Sequence, residues 1–194
     1  MTYLLAGLLL FFGMHSFAIV APGARERAMV RLGDAPWKGL FTLVSVVGFV
    51  MIVHGYRLTR DTAAVLYSPP PGMRYVAALL MLPVFPLLLA TYLPGRIKTA
   101  VKHPTLTATK AWALAHLLVN GSVADVLLFG SFLAWAVADR VAVGKRASPR
   151  PIPSAPASAL NDIVALAVGL AVYVLFITWA HRQLFGLSPL VPVH

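Results

Sequence analysis

The sequence predicts an all-α integral membrane protein built as a bundle of six transmembrane helices. Two observations lead there. Of 194 residues, 59% are hydrophobic and 11% charged, whereas soluble domains carry charge at about a quarter of positions. A chain so poor in polar residues cannot cover a globule with water-compatible surface, so lipid must cover the rest. The apolar residues also fall in runs near the roughly 20 needed to cross hydrocarbon as a helix.

The first run spans residues 3–20 and is broken only by His15 and Ser16. No Lys/Arg-rich segment precedes it, so it reads as a retained helix. A loop with Arg25, Glu26, Arg27, Arg31, Asp34 and Lys38 follows, and a second helix covers 39–56. Arg57, Arg60, Asp61 and the turn Ser68-Pro69-Pro70-Pro71-Gly72 end it. A third helix, 75–93, contains Pro83 and Pro86. These should kink it and free carbonyls that a neighbouring helix must satisfy. Its exit carries Arg96, Lys98, Lys102 and Lys110 without an acid.

Residues 104–143 are too long for one crossing and are interrupted by Asn120-Gly121, a strong turn signal. Pro104 suits a first helical position, and Ser122-Val-Ala-Asp125 reads as an acidic capping box. Two helices, 104–119 and 122–143, joined by a tight Asn-Gly hairpin are expected. Residues 144–158 (GKRASPRPIPSAPAS) read as a flexible loop. A last helix covers 161–184, and the whole of 1–194 forms a single domain. Small residues four apart (Gly130, Ala134, Ala138; Ala165, Gly169) suggest close helix contacts.

Charge supports this count. With six helices, Arg25, Arg27, Arg31, Lys38, Arg96, Lys98, Lys102, Lys110, Arg140, Lys145, Arg146 and Arg150 share one side of the membrane. Only Arg57, Arg60, Arg74 and Arg182 lie on the other. Five helices would nearly abolish the bias. Basic loops face the cytoplasm, so both termini are expected outside it, in a bacterial inner (cell) membrane. The net charge of +10 thus belongs to topology, and nucleic acid is excluded as a partner.

There is no cysteine, which excludes disulfides, thiolate metal sites and covalent haem attachment. No hydrolase, nucleotide-binding or zinc-protease motif is present. Intramembrane carboxylates are nearly absent: Asp125 and Asp162 fall in first turns of helices, where the dipole favours an acid. What remains is histidine. His15 and His116 are ionisable groups within apolar spans, and such residues mark sites. His15 lies about 12 residues, or roughly 18 Å, below the outer surface and His116 about as far above the inner one, so both fall near the middle third of about 30 Å of hydrocarbon. His116 shares a helix face with Trp112 and Asn120, and imidazole suits haem iron and other transition metals. His103, before Pro104, is the fallback ligand. His54 and His181 sit at helix ends, where an amphipathic ring is comfortable, and His194 is terminal.

The runs His15-Ser16, Val20-Ala21-Pro22 with Arg25, Lys102-His103-Pro104, Trp112-Ala-Leu-Ala-His116-Leu-Leu-Val-Asn120-Gly121 and Leu128-Phe-Gly-Ser-Phe-Leu-Ala-Trp135-Ala resemble the NnrU family. The resemblance implies a multi-pass membrane protein associated with nitrite and nitric oxide metabolism in denitrification. It also implies similarity to the plant haem-dependent 15-cis-ζ-carotene isomerase. By motif, that enzyme's haem b ligands fall on His15 and His116. Its redox-linked cysteine falls on Ala113, so the same ligand switch is not encoded.

The reading is therefore a non-covalent haem b protein with His15 and His116 as iron ligands. Trp112 and Asn120 line the haem, and Arg25, with Arg96 next, meets a propionate. A hydrophobic or gaseous small molecule would be its ligand. Alternatives are a haem-dependent cis-trans isomerase of a membrane polyene and a cofactor-free assembly factor. Whether it is an enzyme is left open.

Overall fold

The computed structural model describes residues 1–144 and 153–190 and is helical along most of that length. Lys145, Arg146 and Arg150 of the charge count, most of the expected flexible loop, and His194 lie outside the described residues. The helices are α1 (Thr2–Val20), α2 (Pro22–Leu32), α3 (Asp34–Thr59), α4 (Met73–Met81) and α5 (Val84–Tyr92). They continue as α6 (Arg96–Val101), α7 (Pro104–Leu117), α8 (Val123–Gly144), α9 (Ala159–Leu175), a π turn at Phe176–Ala180, and α10 (His181–Phe185). No strand occurs among the described residues, only an isolated bridge between Val65 and Ser122.

Five stretches are long and apolar enough to cross a membrane: Thr2–Val20, Asp34–Thr59, Met73–Tyr92, Val123–Gly144 and Ala159–Phe185. The chain is a membrane protein. α7, with 14 residues, is shorter than these.

One expectation needs correction. Residues 22–38 are not a loop. They form α2 and the first turn of α3, because Pro22 opens a helix at its first position and Gly33, at φ 85°, closes it. None of α2's residues is buried, and it carries Arg25, Arg27 and Arg31. The third run is interrupted where its prolines predict: α4 and α5 follow one another through Leu82 and Pro83, both helical in backbone angles, and together make the stretch Met73–Tyr92. Pro83 lacks the N–H that would continue the ladder, and α5 restarts from its carbonyl through Leu87 N at 2.9 Å. The Tyr173 hydroxyl of α9 donates to the Ala78 carbonyl at 2.9 Å, one turn before the break.

The helices pack as α3 on α1, α1 on α8, α8 on α7, α7 on α4 and α5, and α5 on α9. Glycine sets the first of these contacts. A Cβ on Gly7 would lie 2.6 Å from Ile52 N, and one on Gly48 would lie 2.8 Å from Phe11 N. At Gly55 it would overlap the backbone of Leu4. The two helices therefore meet backbone to backbone, with Leu4, Leu8 and Ile52 buried along the seam. Gly169 does the same against Pro86 at 2.5 Å, as its small-residue spacing suggests, whereas a Cβ on Gly130 meets only Val126 Cγ1 at 3.9 Å.

Loops gather at two ends. At one, Leu66 N donates to the Gly121 carbonyl at 2.7 Å, and Arg60 Nη1 donates to the Phe185 carbonyl at 2.7 Å. The Tyr67 hydroxyl there meets the carbonyls of Leu117 and Asn120. At the other end, Asp162 accepts from Arg96 N at 2.8 Å and Ile97 N at 3.0 Å, and Asn161 donates to the Pro94 carbonyl at 2.8 Å.

Candidate functional site

A cavity of about 410 Å³ opens among α4, α5, α7, α9, the π turn and α10, at the end where residues 69–71, 119–120 and 187–189 converge. Its walls are mostly apolar, including Met81, Phe85, Phe176 and Ile177, and the polar groups on it are few: His116, Asn120, Arg74, Tyr173, His181 and Ser188. That combination, an apolar enclosure with a few convergent polar groups, is the common form of a small-molecule site.

α7 brings His116 to the wall. The imidazole stacks on Phe129 of α8, with centroids 4.5 Å apart and planes at 25°, and lies 5.2 Å from the Trp112 ring. Its Nδ1 is 2.8 Å from the Trp112 carbonyl. A carbonyl only accepts, so Nδ1 carries the proton and the lone pair resides on Nε2. Metal-bound histidines are commonly oriented in this way. Asn120 Nδ2 donates to the His116 carbonyl at 2.9 Å, closing the last turn of the helix.

His15 occupies a different place. Its ring stacks on Phe11 at 4.0 Å and lies 5.1 Å from Phe41 and 5.7 Å from Trp135, with Nδ1 2.7 Å from the Phe11 carbonyl. Trp135 Nε1 beside it is buried with no protein partner among the described residues. Between the two histidines lies α8. Phe132 touches Phe11 at 5.6 Å and Phe12 at 4.9 Å on one side and Trp112 at 5.2 Å on the other. His15 is not among the residues lining the cavity. The structure thus joins His116 with Trp112 and Asn120 and does not bring His15 to them.

Arg25, on α2, sits with its guanidinium 6.0 Å from the centre of the Trp37 ring, at the opposite end of the bundle from the cavity. Arg96 is there too, with its backbone N–H on Asp162. The cavity's own cation is Arg74, which stacks on Tyr75 at 4.9 Å and gives Nη2 to the Tyr75 hydroxyl at 3.1 Å. Its Nε is buried with no partner among the described residues. His103 stands at the N-cap position of α7 without a side-chain capping bond, and it does not line the cavity. Its imidazole is held below the usual histidine range by burial and by the charge of Arg140. Ala113, where the isomerases carry cysteine, is fully buried in the core with Leu4, Leu8 and Ile52, off the cavity wall.

The family model described as NnrU protein matches residues 3–189, nearly the whole chain. The chain belongs to the NnrU family. No curated protein and no solved structure matches it. For this NnrU chain, the cavity-lining groups that sequence reasoning missed are His181, Arg74 and Tyr173. A signal for part of this was present, since Tyr173, Ile177 and His181 fall on one helix face at four-residue spacing. Periodicity defines such a face without saying what it meets.

Beside the cavity, α8 begins with a satisfied polar cluster. Asp125 accepts from Ser122 N at 2.9 Å, Ser122 Oγ at 2.6 Å and the Tyr56 hydroxyl at 2.6 Å, while Asp125 N donates back to Ser122 Oγ at 3.2 Å. The expected capping box is present and carries Tyr56 from α3 as a third partner.

Proposed function

We propose that this NnrU protein is a haem b-binding protein of the bacterial inner membrane, linked to nitrite and nitric oxide metabolism, with His116 as an iron ligand. One observation carries the reading: an imidazole with its protonated nitrogen fixed on a carbonyl and its other nitrogen free, on the wall of an apolar cavity of about 410 Å³. The donor set suits the group. Imidazole is a haem ligand, the walls suit a porphyrin face, and the unpartnered Nε of Arg74 suits a propionate carboxylate. With no cysteine, attachment is non-covalent. Bound haem would supply redox and gas-ligand chemistry. The chain's own part is to orient His116 through the Trp112 carbonyl and the Phe129 ring and to supply mostly apolar walls. The resemblance offers His15 as the second ligand.

Nothing in the cavity favours the isomerase reading, because position 113 is a core alanine rather than an exchangeable thiol. We count α7 as a sixth crossing. It runs from the end that holds α6 to the end that holds the Asn120-Gly121 turn, as α8 does in reverse. Basic loops then gather on the cytoplasmic side and the termini outside.

The test is a haemin titration of the purified full chain in detergent. Stoichiometric uptake with a Soret band, lost or shifted in His116→Ala, is expected. A wild-type chain that takes up no haemin, or a His116→Ala spectrum identical to it, overturns the reading.

A further inference from the structure

The cavity presents a second imidazole. His181 lies on the same wall set as His116, and the chain around it is shaped to hold the ring. Its Nδ1 is 2.7 Å from the Leu187 carbonyl, so, as in His116, the proton sits on Nδ1 and the lone pair on Nε2. That contact exists because Gly186, at φ 75°, reverses the chain and folds residues 187–189 back over the cavity. Arg60, from the end of α3, holds the turn by donating to the Phe185 carbonyl at 2.7 Å. The π turn at Phe176–Ala180 immediately precedes His181. A π turn rotates the chain less per residue than an α turn, which keeps His181 on the side that carries Tyr173 and Ile177. Such turns recur at functional sites. An interfacial ring with nothing to do would need none of this.

We propose that His116 and His181 are the two imidazoles that face the iron, and that Arg74 receives a propionate of the same haem. The inference rests on the haem reading and replaces its second ligand. His15 is separated from His116 by the α8 rings, whereas His181 shares the cavity with it. The unpartnered Arg74 Nε supplies the anion site at that end of the bundle.

The experiment uses haemin with the full chain and three variants, read by Soret and visible spectra and by electron paramagnetic resonance. Wild type should be low-spin. His181→Ala should keep its helical circular dichroism yet turn high-spin, and added imidazole should restore the low-spin form. His15→Ala should remain low-spin, and Arg74→Gln should weaken haemin binding by about ten- to a hundredfold. Four results would each overturn the inference while leaving haem binding intact. They are a high-spin wild type, a low-spin His181→Ala, a His181→Ala that imidazole fails to restore, and a spin change in His15→Ala. Full haemin affinity in Arg74→Gln would remove the propionate assignment. No uptake by wild type would instead sink the haem reading, and this inference with it.

Discussion

Replacing Gly7 by alanine sets a methyl carbon 2.6 Å from Ile52 N, 2.8 Å from the Gly48 carbonyl oxygen and 2.9 Å from Met51 C. All three are backbone atoms of α3, so no rotamer change relieves them, and the helices must part. Ordinary contact begins at 3.4 Å, so the local separation needed is about 0.8 Å. A gap of that size forfeits a quarter to a half of each atomic contact across it, each worth about 0.1–0.2 kcal/mol. Leu4, fully buried on this seam, would make roughly 40–60 such contacts. If half face α3, the loss there alone is about 1 kcal/mol, and strain brings the expected total to about 1–3 kcal/mol. Reversible unfolding of the full chain in mixed micelles, followed by circular dichroism, measures it. Gly7→Ala with Gly48→Ala should cost less than the sum of the two singles, because one parting of the helices serves both methyls. Gly130→Ala, whose Cβ would meet only Val126 Cγ1 at an ordinary 3.9 Å, is the control and should be neutral or mildly stabilising. A Gly7→Ala effect below about 0.5 kcal/mol, or full additivity of the double, would refute the backbone-contact argument.

Tyr56→Phe removes one of three hydrogen bonds to the buried Asp125 carboxylate and should cost about 1.5–3 kcal/mol in the same assay; an unchanged midpoint would show that Tyr56 holds nothing. His103 should titrate below its ordinary value of 6.5, because burial first and Arg140 second disfavour the imidazolium. The unfolded chain then binds more protons just below pH 6.5, so this group's contribution to stability is lost as pH falls through that window. A magnetic-resonance titration checks it: Arg140→Ala should raise the midpoint, and an unmoved one would remove Arg140 as a cause. Reporter fusions near residues 30 and 65 should report opposite compartments, and a cytoplasmic residue 65 would reverse the orientation.

Composition and the order of apolar runs were enough to determine an all-helical membrane protein, and local chemistry placed several details. Pro104 opens α7, Ser122 and Asp125 cap α8, and the proline-containing third run breaks where Pro83 removes a donor. These depend on residues a few positions apart, and the chain order itself carries them. Local signals also misled. The charges of residues 22–38 look like a loop, but a helix is free to be as polar as a loop when nothing of it is buried, as in α2. The small residues Gly130 and Gly169 look alike in sequence, yet only Gly169 touches a neighbouring backbone. Gly7, Gly48 and Gly55, on two helices, show their meaning only when those helices lie side by side. The site follows the same rule. His116 is marked by its burial in an apolar run, and His15 equally so. Which imidazole shares a cavity with it depends on α8 passing between α1 and α7 and on Gly186 folding residues 187–189 back over the cavity. The first is packing between residues dozens of positions apart, which no local pattern encodes, while the second is local, with His181 meeting the Leu187 carbonyl six residues on.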